Sequence, residues 1–112
     1  MEMGVVEIVK EFISKDSAVP EEERAELLAE LSGSLLEVLD ALDEALEEGL
    51  FEVAVSSSRI LKERLAMFGL EELSIVAGKI EMAASSTSPL YLNCYYMRLR
   101  RELLPLLDYA KK

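Results

Sequence analysis

The sequence predicts an all-α domain, and three observations carry that prediction. Apolar residues recur at steps of three and four along every long segment. No stretch shows the sustained alternation or the β-branched and aromatic enrichment of a strand. The interruptions fall at Pro and Gly residues that suit helix starts and stops. The chain has 112 residues, 51% apolar and 30% charged, with five Gly and three Pro. Such a composition suits a single folded domain over residues 1–112 with a modest core, and not a disordered or disulfide-stapled peptide.

A first short helix is expected over residues 3–15, where Val5, Ile8, Val9 and Phe12 hold the i, i+3, i+4, i+7 spacing of one apolar stripe. Asp16 to Val19 ends it. Pro20 suits the first turn of a second helix, because its missing N–H has no intrahelical partner there. Glu21, Glu22 and Glu23 then place negative charge at the positive end of the macrodipole. This helix is expected to run to Glu48, roughly 43 Å at about 1.5 Å per residue, with Gly49 as a left-handed cap. Leu28, Leu31, Leu35, Val38 and Leu42 form its seam, widened by Leu39 and Leu46. A third helix, 51–68, sets Ala54, Ser58, Leu61, Leu65 and Phe68 on one seam before Gly69 interrupts it. A fourth, 70–85, offers Leu70, Leu73, Val76 or Ala77, Ile80 and Ala84. The 85–89 loop supplies Ser88 as an N-cap and Pro89 as the first helical residue of a fifth helix, 89–110. Leu92, Tyr95 or Tyr96, Leu99, Leu103 and Leu106 are its core positions, and Pro105 predicts a kink or an early end. Short loops between long helices predict an up-down-up-down four-helix bundle, with the short N-terminal helix capping one end.

Counting excludes much chemistry. There is no His, so no imidazole base, Ser-His-Asp triad, His-ligated metal or phosphohistidine is available. The lone Cys94 makes no internal disulfide and no thiolate zinc site, which suits a reducing cytosol. Paired acids such as Asp40, Asp43, Glu44 and Glu47 lack the Glu-x-x-His partner of carboxylate metal bundles, so no metal or other cofactor is expected. No apolar run approaches the roughly 20 residues of a membrane span, and the N-terminus lacks a signal-peptide pattern. A soluble, cytoplasmic protein is expected. Residues 1–50 hold 15 acids and 3 bases, while residues 51–112 hold 7 acids and 9 bases, within a net charge of −10. Nucleic acid is therefore not an expected partner, because phosphate contacts need a cationic surface. Arg98, Arg100 and Arg101 are read as a solvated face, Ser56 to Ser58 as non-nucleophilic, and Ser58 as bonding a carbonyl within the bundle. Tyr91, Tyr95 and Tyr96 are read as core and boundary packing, and Met3, Met67, Met82 and Met97 as gap fillers.

From Ser58 to Glu81 the chain reads S-R-I-L-K-E-R-L-A-M-F-G-L-E-E-L-S-I-V-A-G-K-I-E. This resembles the histidine-containing phosphotransfer (HPt) domain of bacterial phosphorelays. There a bundle helix carries His, a Lys three residues later and then Gly, and a Leu-Gly-like turn follows seven residues past the Lys. Lys62 and Gly69 keep that spacing, Leu70 and Leu73 match the start of the next helix, and Ile80-Glu81 is similar to its Leu-Glu. Arg59 stands in place of the phospho-accepting His and Glu63 in place of the Gly. A guanidinium stays protonated and cannot accept a phosphoryl group, so the resemblance implies a non-catalytic member that is not an enzyme. It implies a module that docks a receiver domain or a histidine kinase. The alternative is a structural or oligomerising bundle that shares only the geometry. Helical spacing sets Val55, Ser56, Arg59, Lys62, Glu63 and Ala66 on one side of the third helix. That side is either a plain solvated stripe or a flat docking surface around Arg59.

Overall fold

The computed structural model describes residues 4–86 and 88–111, and these form five α-helices with no strand. They are α1 (Val5–Ser14), α2 (Arg24–Glu48), α3 (Phe51–Met67), α4 (Glu71–Ser85) and α5 (Pro89–Leu107). Short 3-10 segments lead into α2 at Glu21–Glu23 and leave α5 at Asp108–Lys111. The expected helix start at Met3, the packing role of Met3 and Thr87 of the 85–89 loop lie outside the described residues.

The ends follow local chemistry. Pro20 is extended (φ −62°, ψ 146°) and sits before the helical turn rather than within it, and its carbonyl accepts the Glu23 N–H at 3.0 Å. This closes a 3-10 turn of three glutamates, so regular α2 starts only at Arg24. Gly49 (φ 71°) caps α2 in the left-handed region as expected, with the Leu50 N–H donating back to the Ala45 carbonyl at 2.9 Å. Gly69 (φ 85°) repeats the device after α3, with the Leu70 N–H reaching the Leu65 carbonyl at 2.8 Å. Ser88 occupies the position before Pro89, but its side chain caps nothing. Its backbone N–H instead donates to the Ala83 carbonyl at 3.0 Å. α5 continues through Pro105, then gives way after Leu107 to the tighter 3-10 segment. The regular helix thus stops at Leu107, short of the expected residue 110, with Pro105 and its missing donor inside it.

The core is a single cluster drawn from all five helices. Leu35, Leu39, Leu42, Leu61, Leu65, Ile80, Leu92, Leu99, Leu103 and Leu106 are fully enclosed. In α3 every expected seam residue is buried, and in α4 both Val76 and Ala77 are. Tyr96 is the buried tyrosine of α5, with Tyr95 half-buried and Tyr91 outside. Two expectations fail. α1 buries Val9 and Ile13, while Phe12 is 43% exposed; Ile8 and Phe12 lie over Gly69, where a Cβ would come within 3.6–3.7 Å of them. Met67, Met82 and Met97 stand on the surface and fill no gap. Leu31 and Leu46 are half-buried and pack against the core at the edges of the α2 seam, with Ser32 and Ala45 buried beside them. The Ser32 hydroxyl is satisfied by the Leu28 carbonyl at 2.8 Å, so its burial leaves no unmet donor.

The contacts position the surface that matters below. α3 packs on α2 and α4, α5 on α4 and α2, and α1 on α2 and α5. Arg64 of α3 donates to both the carbonyl and the hydroxyl of Ser34, at 3.0 and 2.8 Å, tying α3 to α2. Ser58 bonds the carbonyls of Ala54 and Val55 at 2.7 and 3.1 Å, as expected of a buried helix serine. On α5, Arg100 is no freely solvated arginine. It donates to the Tyr96 hydroxyl at 2.8 Å and sits 3.6 Å from the Asp40 carboxylate of α2.

Candidate functional site

α3 and α4 run back from the Phe68–Leu70 turn as a hairpin, and residues equidistant from that turn meet. The Ser74 hydroxyl of α4 donates to the Lys62 carbonyl at 2.9 Å. Gly78 leaves the space into which the Lys62 stem falls, since a Cβ there would stand 3.3 Å from Lys62 Cδ. One turn further on, Glu81 receives two of the three cations of α3, the third, Arg64, being turned to Ser34. Its Oε1 accepts from Lys62 Nζ at 3.1 Å and its Oε2 from Arg59 Nε at 2.8 Å.

One carboxylate thus holds two cations, and the geometry decides what each can still do. The Glu81 side chain is 16% exposed, that of Lys62 41% and that of Arg59 58%. The inner partner is the acid. The Arg59 hydrogen bond and then that of Lys62 hold the Glu81 carboxyl below its ordinary 4.5, against the opposing effect of burial. Because Arg59 is bonded to Glu81 through Nε and is largely exposed, its two terminal amino groups are left as donors that suit a further carboxylate. Lys62 spends its ammonium on Glu81 and contributes its stem as cover for α4.

Of the six residues expected to form a docking face, Arg59, Glu63, Ser56 and Ala66 are exposed, and Val55 and Lys62 half-buried. Ser56 turns its hydroxyl back to the Glu52 carbonyl at 2.9 Å, so that part of the face is short and self-satisfied. Glu63 points to solvent without an ion-pair partner among the described residues. To the expected face around Arg59 the structure adds Glu81, which the sequence reading did not include. Its role was hidden because the pair joins positions 22 residues apart. The signal that reveals it is hairpin register: the Gly69 turn sets Lys62 against Gly78 and Arg59 against Glu81.

Among the described residues no group of three or more His, Cys, Asp or Glu stands where it could hold a metal ion. No helix is long and apolar enough to cross a membrane. Comparison of the chain with protein-family models, with curated proteins and with solved structures finds no match.

Proposed function

We propose that this chain is a non-catalytic, HPt-like binding module of two-component signalling. On this reading α2 to α5 make an up-down-up-down four-helix bundle with α1 across one end, and the docking surface is the α3–α4 face around Arg59, Lys62 and Glu81. Val55, Ser56, Glu63 and Ala66 form its margins. The observation that carries the reading is the state of Arg59: its guanidinium is held through Nε at 2.8 Å while the side chain stays 58% exposed.

The partner's chemistry follows from that guanidinium. A receiver domain's phosphorylation pocket is a cluster of acidic side chains, so a receiver docked on this face meets a fixed cation where an HPt domain would present its His. A desolvated Arg–carboxylate pair of this kind is strong, and losing one member costs about 2–5 kcal/mol. Arg59 itself accepts no phosphoryl group, so the module occupies or holds the partner without relaying phosphate. A histidine kinase is the other partner of the same class, and a cytoplasmic location goes with either. Glu63, exposed one turn from Arg59, opposes an acidic partner and weakens the fit.

The test is incubation with a radiolabelled phospho-receiver or an autophosphorylating kinase. The chain should form a complex and remain unlabelled. Acid-labile phosphate on the chain, or no complex with any receiver or kinase of its source cell, would refute the proposal.

A further inference from the structure

A cavity of about 580 Å³ lies where the end of α1, the start of α2 and the 3-10 segment after α5 come together. Buried Ile13 and Leu28 give it an apolar wall. The Tyr109 ring lines it too, with Lys10 Nζ held over that ring 5.6 Å from the centroid. Arg24 completes the polar side. This arginine is half-buried, and its Nε is closed to solvent with no hydrogen-bond partner. Among the described residues it is the only buried side-chain donor left unpaired. A buried donor on a charged group without an acceptor carries its full desolvation cost. Arg24 is also the first residue of α2, where a cation opposes the helix dipole. Both effects destabilise the chain, and an acceptor placed in the cavity would offset both.

We propose that this cavity binds a small monocarboxylate with an apolar body, its carboxylate anchored by Arg24 and its body laid on Ile13 and Leu28. Charge selects a single negative group. Of the acids that line the cavity, Glu11 is drawn to Lys15 at 3.5 Å, outside it. Two cations, Lys10 and Arg24, then stand against one acid, Glu21, which leaves one positive charge to be balanced. Glu21 precedes Arg24 by three residues but makes no ion pair with it. A monoanion matches that balance, whereas a phosphate dianion exceeds it and meets Glu21 as well. The planar guanidinium suits a carboxylate in particular. Size and lining require the apolar body, since the volume lies within the roughly 300–1,000 Å³ of small-molecule sites. A bare carboxylate would leave Ile13 and Leu28 uncovered.

Titration of the isotope-labelled chain with decanoate tests the site, because the Arg24 Nε–H group gives its own signal in a proton–nitrogen correlation spectrum. That signal should move and saturate with a Kd between about 10 µM and 1 mM, together with the amides of Ile13 and Leu28. Decyltrimethylammonium, which has the same chain under a cation, should bind at least tenfold more weakly. So should acetate, the head without the body. Arg24→Met keeps the stem and removes the charge. It should lose at least tenfold in decanoate affinity and raise the thermal unfolding midpoint, because the orphan donor is gone. Ala25→Phe, at an exposed position of α2 that lines the cavity, should fill it and block decanoate while circular dichroism stays helical.

A decanoate Kd weaker than about 1 mM, equal binding of decyltrimethylammonium, or undiminished binding by Arg24→Met or Ala25→Phe overturns the proposal. So does a lowered unfolding midpoint in Arg24→Met, which would show the guanidinium to be satisfied within the chain. Glu21→Gln also decides: if it moves the Arg24 Nε–H signal as far as decanoate does, Glu21 is the partner and the proposal falls. Shifts of the same signals with protein concentration alone, or with an acetylated acidic peptide and not with decanoate, would assign the cavity to a second copy or a protein partner and overturn it. The cavity and the Arg59 face lie on different helices, so either reading can fail without the other.

Discussion

Replacing Gly78 by Ala isolates the packing that orients the α3–α4 face. An interior helix glycine costs about 0.5–1 kcal/mol relative to alanine. Gly33 of α2 measures that gain without interference, because a Cβ there would meet nothing within 4 Å. Gly33→Ala should therefore stabilise the chain by about 1 kcal/mol, near 4 °C in Tm for a domain of this size. At Gly78 the same Cβ would stand 3.3 Å from Lys62 Cδ. The lysine stem has to shift by a few tenths of an ångström, and its 3.1 Å bond to Glu81 lengthens with it. A half-exposed ion pair is worth about 0.2–1 kcal/mol, so Gly78→Ala should gain only about 0–0.8 kcal/mol. Urea unfolding followed by circular dichroism should report both variants with unchanged m-values. In a Lys62→Ala background the two glycine substitutions should become equal, which is the signature of a pairwise contact. If Gly78→Ala matches Gly33→Ala in the parent as well, Lys62 does not lie over Gly78 and the description of the site is wrong.

Leu65→Ala and Leu35→Ala should each cost about 2–5 kcal/mol in the same unfolding assay, whereas Met82→Ala, on an exposed residue, should change stability by under about 0.5 kcal/mol. Glu81 should shape the acid limb of the stability curve. Its carboxyl is held below 4.5 when folded, so its contribution is present above that value and lost as pH falls through the lower folded one. Glu81→Gln should be less stable at neutral pH and flatter below it. Tyr96 should shape the alkaline limb. Burial, partly opposed by the Arg100 hydrogen bond, raises its phenol above 10.0, so its contribution holds up to that pH and falls away above it. Tyr96→Phe should flatten that fall, read from unfolding midpoints across alkaline pH.

The helices were legible because each follows one period. α3 lies between two packed neighbours, so its seam of Ala54, Ser58, Leu61, Leu65 and Phe68 admits only one buried face. α1 is short and packs chiefly on α2 and α5, where several rotations keep three or four apolar residues inward. The pattern placed Phe12 on the stripe, whereas the structure buries Ile13 and leaves Phe12 at the side of Gly69. Met97 was misplaced although the period was legible: at 3.6 residues per turn it falls roughly opposite the core positions Leu92 and Leu99, and it is 66% exposed. At the candidate site, Arg59 and Lys62 stood out from the chain's own local pattern. Glu81 did not, because its pairing is a property of two helices in register across the Gly69 turn.

The docking claim is tested most directly by the affinity of one bound receiver domain for three forms of the chain: the parent, Arg59→Ala and Glu63→Ala. If the Arg59 fork enters an acidic pocket, Arg59→Ala weakens binding about tenfold or more, equivalent to at least about 1.4 kcal/mol. Glu63→Ala, by removing an opposing charge, leaves binding equal or tighter. Equal affinity of the parent and Arg59→Ala would contradict the account and move the search for the contact to the acidic face of α2.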